Sequence, residues 1–432
     1  MVINSWGRLT HAAHEVRYLS ERLDLCKQIA LSSSKGLAFG MGRSYGDSCL
    51  NPSGVLWNTT LLDRFIDFDP SSGVLTCEAG VLLRDIQQLA TESGWMLAVT
   101  PGSQMVTVGG AIANDVHGKN HHRMGNFGEH VTCLELLRTD GQIIQCTPNE
   151  NQDFFWATIG GLGLTGIITK AQIQLRKIAS TYLDTESIPY GNLHEFIELS
   201  SESEVDWEYT VSWIDCLSKK NARGIFMRAN HSDHFEPRPP QRKQRSIPFI
   251  PPISTINRFS LPILNNTYFH LNRLKSGKRK AYYQPFFYPL DGLHYWNRMY
   301  GPKGFYQYQS VIPKELGKEA TQAMLDQVRK SGEGSFLAVL KTFGDRESKG
   351  MLSFPKPGIT LAIDFPNNGT ATEKLFKKLD AILSEAGGRL YAAKDARMPK
   401  TLFEAGYPHL KEFSAYRDSG ISSALSRRLM GS

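Results

Sequence analysis

The sequence has few cysteines, and no two of them have the spacing of a known cysteine motif. Six occur among 432 residues, and they form neither a C-x-x-C pair nor a zinc-ligand pattern: Cys26, Cys49, Cys77, Cys133, Cys146 and Cys216. We therefore expect free thiols in a reducing compartment rather than a disulfide scaffold. The histidines His117, His121 and His122 lie close together without an acidic or cysteine ligand cluster, so we predict no metal site.

The sequence also lacks long hydrophobic runs. No stretch of about eighteen apolar residues occurs, so no transmembrane helix is predicted. The N-terminus has no basic region leading into an apolar stretch, which predicts no signal peptide and a cytoplasmic location. No internal repeat is present. A hydrophobic content of 41% and a charged content of 21% are ordinary for a globular protein. A length of 432 residues predicts two domains.

Acidic residues are absent from the stretch between Pro237 and Leu290. This stretch is nonetheless rich in basic residues: Arg238, Arg242, Lys243, Arg245, Arg258, Arg273, Lys275, Lys278, Arg279 and Lys280. It is also rich in prolines, which disfavour regular helix and sheet: Pro237, Pro239, Pro240, Pro248, Pro251, Pro252 and Pro262. We expect a long, mobile excursion over about 237–283, in which basic and apolar residues alternate.

Such an excursion suits an anionic membrane surface, or a polyprenyl phosphate, which combines both features in one molecule. A solvated loop without a partner is the alternative. Nucleic acid is disfavoured because no recognition motif is present and the basic residues are confined to one segment.

The sequence is rich in glycine at three places in its first half, and each place has the pattern of a loop. In Val106–His122 the pair Gly109 and Gly110 lets the backbone approach a flat or charged ligand, and a polar run follows. This pattern suits a phosphate or a planar ring. The alternative is a tight turn that enters a buried helix and leaves the histidines solvated.

A second glycine-rich run covers Gly36–Asp47, where backbone N–H groups can converge on an anion beside Arg43. A third run contains a G-x-G-x-x-G pattern at Gly161, Gly163 and Gly166. Its flanks are wrong for a dinucleotide fingerprint, because a helix is predicted before it and a strand after it. Together the three runs indicate a large, phosphate-bearing cofactor held by loops.

The periodicity predicts more strands than long helices. Helices are expected near 19–31, 82–93, 191–200, 315–331 and 372–386. The segment Phe305–Pro313 alternates like a strand, which places Gln307 and Gln309 on one face. Amide groups there could bind the hydroxyls of a sugar, and an edge strand with a polar face is the alternative.

Four segments carry a resemblance to a known family: GMGRSYGD (40–47), TPGSQMVTVGGAIANDVHGKNHH (100–122), FWATIGGLGLTGII (155–168) and RLYAAKDAR (389–397). They resemble the vanillyl-alcohol-oxidase-type FAD flavoproteins, within which they are most similar to the branch that oxidises a polyprenylphosphoryl ribose. The resemblance implies an α+β, two-domain FAD-binding fold with an antiparallel-sheet substrate domain. We expect an FAD-binding domain over 1–179, a substrate domain over 180–388 and a C-terminal segment over 389–432 that returns to the first domain.

The resemblance also assigns cofactor-binding positions. These are Ala38, Phe39, Gly40, Met41, Gly42, Arg43, Ser44, Tyr45, Gly46, Asp47, Ser48, Gly102, Thr107, Val108, Gly109, Gly110, Asn114, Asp115, Val116, His117, Ile168 and Tyr391. Many relatives attach FAD covalently through a histidine of the first glycine-rich loop. No histidine occurs between Lys35 and Leu56, and Tyr45 falls near that place, so non-covalent FAD is expected. A packed aromatic is the alternative for Tyr45.

Lys394 and His117 are the catalytic candidates. Flavin-dependent alcohol oxidation needs a group that stabilises or accepts the hydroxyl proton, and partial desolvation among Tyr391, Ala392 and Ala393 would lower the pKa of Lys394. A salt bridge to Asp395 is the alternative role. The substrate candidates are Lys119, Phe287, Gln307, Gln309, Lys341, Thr360 and Ala362. At three of them the chain departs from the mycobacterial members, which have tyrosine, asparagine and cysteine where this chain has Phe287, Thr360 and Ala362.

The function that the resemblance implies is oxidation of the 2-hydroxyl of a polyprenylphosphoryl-β-D-ribofuranose to the 2-ketone. This is the first half of an epimerisation to the arabinose form that serves cell-envelope glycan synthesis. The implied partner is an NAD(P)H-dependent short-chain reductase, with peripheral contact at the inner face of the cell membrane. Oxidation of a free sugar, alditol or aldonolactone is the second hypothesis, and a non-catalytic membrane adaptor is the third.

Overall fold

The structure is a computed structural model that describes residues 1–30, 34–218, 222–234, 236–237, 239 and 245–431. In its first part the short apolar runs form strands: β1 (Val2–Ile3), β2 (Ala12–Ala13), β3 (Glu15–Tyr18), β4 (Gly36–Phe39), β5 (Val55–Asn58), β6 (Phe65–Asp69), β7 (Val74–Glu78), β8 (Trp95–Met96), β9 (Val131–Leu137), β10 (Ile143–Cys146), β11 (Ile167–Gln174) and β12 (Arg176–Lys177). The helices between them are α1 (Leu25–Ala30), α2 (Leu83–Thr91), α3 (Val108–Ala113), α4 (His121–Met124) and α5 (Gln152–Thr158).

The rest of the chain has longer elements. Its strands are β13 (Tyr182–Tyr190), β14 (Tyr209–Ile214), β15 (Gly224–His231), β16 (Arg245–Ser246), β17 (Gly277–Tyr282), β18 (Leu293–His294), β19 (Phe305–Ile312), β20 (Ala338–Phe343), β21 (Gly358–Pro366) and β22 (Arg389–Leu390). Its helices are α6 (Leu193–Asp206), α7 (Ser260–Leu274), α8 (Tyr283–Phe287), α9 (Lys314–Ser331), α10 (Thr370–Glu385), α11 (Lys400–Gly406), α12 (Leu410–Phe413) and α13 (Ala424–Leu429). Among the described residues, no helix is both long and apolar enough to cross a membrane.

Three sheets organise these elements. A parallel sheet has the order β3-β5-β4, and an antiparallel sheet has the order β10-β9-β11-β7-β6. The largest sheet has eight strands in the order β17-β13-β15-β14-β20-β21-β19-β22, all paired antiparallel. Helices α9 and α10 pack together on this sheet through apolar side chains such as Met324 and Leu379. The predicted α+β class with a large antiparallel sheet is confirmed.

The C-terminal segment contacts the first part of the chain. The Gly36 N–H donates to the carbonyl of Gly420 at 2.9 Å. The Arg428 guanidinium bonds both carboxylate oxygens of Asp47, at 2.9 and 3.0 Å, and one of Asp395 at 3.0 Å. Strands of the two smaller sheets come from residues before 175, and those of the large sheet come from residues after 181. The division into domains stays a prediction.

Most of the predicted helices form. Those expected near 82–93, 191–200, 315–331 and 372–386 are α2, α6, α9 and α10. The one expected near 19–31 is shorter: a 3-10 turn at Arg22–Asp24 leads into α1, and Leu31 lies outside the described residues. All six cysteines are free, as predicted.

The expectation of an excursion without regular structure is wrong for its second half. Residues 260–274 form α7, residues 277–282 form β17 on the edge of the large sheet, and α8 follows. The reason is the position of the prolines. Most precede residue 253, and Pro262 lies in the first turn of α7, where a proline needs no N–H partner. Arg238, Pro240, Arg242 and Lys243 lie outside the described residues.

Candidate active site

One face of the large sheet gathers the candidate polar side chains. Directly opposite residues in an antiparallel pair share a face, and the register pairs Gln307 with Asp364 and Gln309 with Ala362. The neighbouring pair places Lys341 opposite Thr360. Gln307 and Gln309 therefore lie on one face of β19, as the sequence predicted. The polar face continues onto β21 and β20.

The His117 imidazole lies over this face. Its Nε2 is 2.9 Å from Gln309 Nε2, and its Nδ1 is 3.2 Å from Lys341 Nζ. Lys341 Nζ also donates to the carbonyl of Gly118 at 3.1 Å. Phe343 and Tyr391 contact the imidazole with ring centroids at 5.0 and 5.7 Å. Burial lowers the pKa of His117 well below its usual value, so the ring is neutral.

A neutral imidazole has one proton, and this couples the three groups. If His117 Nδ1 accepts from the Lys341 ammonium, then Nε2 has the proton and Gln309 must present its amide oxygen. If Gln309 presents its NH2 group, Nδ1 has the proton and Lys341 is a neutral amine. Burial lowers the pKa of Lys341 to about 7, and the nearby charges of Lys119 and Lys394 add to that effect. Both arrangements are therefore accessible near neutral pH.

Three half-buried lysines lie near one another: Lys341 contacts His117, and the charges of Lys119 and Lys394 act on Lys341. Burial lowers the pKa of Lys119 and of Lys394 to about 8, and it lowers that of Lys341 to about 7. Lys119 Nζ donates to the Phe287 carbonyl at 2.9 Å. The carboxylates of Asp291 and Asp364 favour the charged forms of Lys119 and Lys394, but Lys341 has only cations among the charges that act on it, so the cluster favours a ligand with negative charge.

Lys394 lies above an aromatic ring rather than in an ion pair. Its Nζ is 4.0 Å from the centroid of the Tyr45 ring. The alternative of a salt bridge to Asp395 is wrong, because that carboxylate accepts from Arg428 and from the Met398 N–H. Partial desolvation of Lys394 was expected from its neighbours, and the direction of its pKa agrees.

The sequence reasoning missed Asp364. It is 1% exposed, Gln307 Nε2 donates to its Oδ1 at 2.6 Å, and no described residue donates to its Oδ2. Burial raises the pKa of Asp364 to about 7, while the charge of Lys394 opposes that shift. Extending the alternation of Thr360 and Ala362 by one step would have found it.

The first glycine-rich loop offers a row of open donors. The backbone N–H groups of Gly40, Met41, Gly42, Arg43 and Ser44 donate to no acceptor among the described residues. Gly42 has φ of +59°, a conformation that suits glycine. Consecutive free N–H groups around such a residue form an anion-binding concavity. The Arg43 side chain bonds the Met105 carbonyl at 3.2 Å instead of extending the row.

The rest of this loop has structural contacts. A Cβ at Gly46 would lie 1.6 Å from the Asp395 carbonyl oxygen, so the C-terminal segment requires glycine there. Asp47 is bonded to Arg428, and Ser48 is 5% exposed. Tyr45 is 9% exposed and packs against Phe305 with centroids at 5.4 Å, which confirms the alternative of a packed aromatic.

The second loop enters α3, whose N-cap is Thr107. The Gly110 N–H donates to Thr107 Oγ1 at 3.2 Å, and the Gly109 N–H donates to the Ala79 carbonyl at 2.8 Å. A Cβ at Gly109 would press on Ala79 at 3.1 Å, whereas one at Gly110 meets only Thr107 Oγ1 at 3.0 Å and Val106. Gly102 has open space around it. The bare surface for a cofactor is thus at Gly102 and Gly110.

Several predicted cofactor positions have buried roles. Val108 and Ile168 are core residues, and the Tyr391 hydroxyl donates to the Asn114 carbonyl at 2.8 Å. Asp115 accepts from the Gly128 N–H, Asn126 and Ser353, which joins two loops away from the open donors. Val116, Ala38 and Phe39 are partly buried and pack against core clusters.

The side chains of Phe287, His121 and His122 are held by contacts with residues other than His117. The Phe287 side chain is 2% exposed and packs on Tyr209, so only its carbonyl contacts Lys119. His121 is 2% exposed and packs on Phe343 with ring centroids at 4.6 Å, and His122 bonds the Trp207 carbonyl at 2.8 Å. Neither of these histidines extends the site around His117.

These residues fit FAD. Its pyrophosphate needs several donors in a row, which the N–H groups of residues 40–44 provide. Its planar ring needs close approach to backbone, which the open positions at Gly102 and Gly110 allow. Such a cradle beside a histidine and three lysines defines an FAD-dependent oxidoreductase.

Comparison with known proteins agrees with this class. Residues 16–147 match the FAD binding domain family. The chain is 34% identical to decaprenylphosphoryl-beta-D-ribose oxidase of Mycolicibacterium smegmatis, over 98% of this chain and 96% of that protein. It therefore belongs to the family of that oxidase, the FAD-binding oxidoreductases of the vanillyl-alcohol-oxidase type that act on CH–OH groups.

More distant relatives share part of the chain. L-gulonolactone oxidase of Mus musculus is 28% identical over 39% of this chain and 39% of its own. Delta(24)-sterol reductase of Homo sapiens is 32% identical over 26% of this chain and 21% of its own. Membership in an oxidoreductase family removes the basis for the alternative of a non-catalytic adaptor.

Proposed function

We propose that this protein oxidises the 2-hydroxyl of a polyprenylphosphoryl-β-D-ribofuranose to the 2-ketone. The observation that carries the proposal is Lys341, which contacts His117 and lies near enough to Lys119 and Lys394 for their charges to lower its pKa, on a sheet face that also presents Gln309. A phosphorylated sugar fits this group, since its phosphate matches the cations and its hydroxyls match the amide and the imidazole.

The proposal gives each residue near His117 a role. FAD, which the N–H groups of residues 40–44 would hold, would supply the acceptor for the hydride on carbon 2 of the sugar. Lys394, with its lowered pKa, takes the hydroxyl proton at Nζ in its neutral form. His117 and Gln309 hold the sugar hydroxyls, and Lys341 and Lys119 bind the phosphate. Gln307, Thr360, Ala362 and the carbonyl of Phe287 line the same region.

A free sugar, alditol or aldonolactone is the competing substrate class. Such a substrate has no phosphate, so it would offer no counter-charge to Lys341, on which the charges of Lys119 and Lys394 act. The experiment that distinguishes the two substrate classes mixes each substrate with the flavin-bound protein without oxygen. Reduction of the flavin is measured as the loss of its visible absorbance. A prenylphosphoryl ribose should bleach the flavin, and ribose, an alditol and L-gulonolactone should not. Bleaching by gulonolactone alone would overturn the proposal.

The proposal includes two partners. A ketone product requires a second hydride to give the arabinose form, and an NAD(P)H-dependent short-chain reductase is the class of enzyme that supplies it. The substrate is anchored in a bilayer, so we place the protein at the inner face of the cell membrane, in peripheral contact. Arabinose formation should require both proteins, and the oxidase alone should accumulate the ketone.

The domain division is part of the same proposal. We assign FAD binding to residues 1–179, substrate binding to 180–388, and the return to the cofactor to 389–432. The contacts of Arg428 with Asp47 and of Gly36 with Gly420 support the last of these assignments.

A further inference from the structure

Helix α7 exposes an apolar face. Phe259, just before the helix, is 72% exposed, and Ile263, Leu271 and Leu274 are 69%, 51% and 84% exposed. Leu264 is 44% exposed. We call these five residues the α7 face. A helix on the surface of a water-soluble domain normally turns polar residues outward, so this face is unusual for a solvent boundary.

The opposite side of α7 is buried and packs against the rest of the protein. Leu261, Asn265 and Phe269 follow one another at four-residue steps and are buried. Asn265 Nδ2 donates to Asp215 Oδ1 at 3.0 Å, and Phe269 packs with Trp213 and Ile225. Because the helix is already anchored on this side, the α7 face is not needed to hold it in the fold.

Basic residues follow directly on the α7 face. Arg273, Lys275, Lys278 and Arg279 are exposed, and no aspartate or glutamate occurs between Pro237 and Leu290. Lys280 is the member of the group with an acidic partner, since it pairs with Glu236 at 3.1 Å. Asp184 and Glu186 lie opposite Lys280 and Lys278 on the neighbouring strand, so the border is mainly rather than wholly positive. Apolar residues with a mainly basic border match the interface of a bilayer that contains anionic lipid.

We propose that α7 lies in the plane of an anionic membrane, with the α7 face inserted among the lipids and the basic residues on the headgroups. Two apolar residues that precede α7 in the chain are exposed as well, Phe249 at 67% and Ile253 at 75%. This inference deepens the proposed peripheral contact by naming the surface that makes it.

The membrane surface leads into the candidate active site. From Lys275 the chain runs through β17 and α8 to Phe287, whose carbonyl accepts from Lys119. A docked α7 would therefore hold one end of this connecting segment at the bilayer, while its other end contacts Lys119, and a lipid-linked substrate in that bilayer would reach the lysine cluster along it. That last step rests on the proposed function, whereas membrane binding itself does not.

Vesicle flotation tests the surface. The holoenzyme should float with phosphatidylcholine vesicles that contain phosphatidylglycerol and should float poorly with phosphatidylcholine alone. Replacing Ile263, Leu271 and Leu274 by Ser should weaken vesicle binding at least tenfold. Replacing Arg273, Lys275, Lys278 and Arg279 by Gln should weaken it similarly at low salt and abolish its dependence on the anionic lipid.

Matched controls lie elsewhere on the surface. Ile143 and Val205 are 59% and 73% exposed, and their replacement by Ser should leave flotation unchanged. Lys374, Lys377 and Lys378 on α10 are exposed, and their replacement by Gln controls for net charge. Loss of binding in either control set equal to that in the α7 variants would overturn the proposal.

Two further readouts separate the outcomes. If the wild type is a dimer that the Ile263, Leu271 and Leu274 variant dissociates, a second copy of the chain covers the α7 face and the proposal is wrong. Turnover of a short-chain prenylphosphoryl ribose in detergent should be unchanged in the α7 variants. If the wild type floats but does not oxidise that substrate, the membrane surface stands and the proposed substrate fails.

Discussion

At the scale of single residues, Lys394 has the clearest expected effect. Lys394→Ala should retain FAD and the fold, because the Lys394 ammonium lies over the Tyr45 ring and forms no salt bridge with any residue that the structure describes. Turnover should fall by about two orders of magnitude, the scale for loss of a positioned acid–base group. Steady-state kinetics with flavin content measured in parallel check this, and Lys374→Ala on exposed α10 is the control. A variant with the wild-type rate would remove Lys394 from the chemistry.

Lys341 predicts a pH dependence of stability. Its pKa is lowered from 10.5 to about 7 in the folded chain, so below pH 7 the fold contains an unfavourable buried charge. Between about pH 7 and 10 the unfolded chain binds the extra proton, and stability should rise with pH through this group. Lys341→Met should therefore be more stable than wild type at pH 6, and this advantage should shrink toward pH 10.

Thermal unfolding of both proteins across this range measures the effect. Lys374→Met is the control, since Lys374 is exposed and should give a difference that does not change with pH. A Lys341→Met advantage that stays constant, or grows, from pH 6 to 10 would contradict the burial of a charged Lys341. The same variant should raise the KM for a phosphorylated substrate below pH 7.

At the scale of elements, the loop before α3 makes a prediction about the cofactor. Gly110→Val should fold but lose FAD, because its Cβ meets only Thr107 and Val106 while the branched side chain would occupy the open surface. Gly191→Val, at an exposed glycine with a Cβ contact no closer than 3.6 Å, is the control and should keep the flavin. Normal flavin occupancy in a soluble Gly110→Val protein would refute the place given to this loop.

The elements also show where sequence reasoning succeeds. The alternation in Phe305–Pro313 predicts β19 and the shared face of Gln307 and Gln309 because a strand has a period of two residues. On the neighbouring strand the same alternation leads from Thr360 and Ala362 to Asp364, which the sequence reasoning did not name. That Asp364 lies opposite Gln307 depends on which strands are neighbours, and no local pattern contains that information.

Composition was a weaker guide than position. The proline count predicted no regular structure over 237–283, yet α7 forms because Pro262 falls in its first turn. The apolar residues of α7 divide between a buried and an exposed side, and this division is visible only when the contacts of Leu261 and Phe269 are known.

At the scale of the whole molecule, the resemblance predicted the class and the return of the C-terminal segment to the first domain, but not which residues make the contact. The glycine-rich runs and the resemblance predicted FAD and the α+β fold. The contact of Arg428 with Asp47 and the closeness of Gly46 to Asp395 join residues from opposite ends of the chain. Gly46 is predicted as a cofactor residue, and the packing against Asp395 is a separate reason for glycine at this position.

The way in which FAD is bound should also determine how the stability of the whole molecule depends on free FAD. No histidine of the first loop is available for attachment, and burial raises the pKa of Tyr45 well above its usual value, so its phenol stays protonated. FAD should therefore be released by acid or heat and leave no flavin on the denatured chain. A reversibly bound ligand stabilises the fold by about 2.7 kcal/mol at a free concentration of 100 times Kd. The Tm should accordingly rise with added FAD and fall after dialysis against FAD-free buffer. A Tm independent of free FAD, together with flavin fluorescence that migrates with the denatured polypeptide, would show that the attachment is covalent.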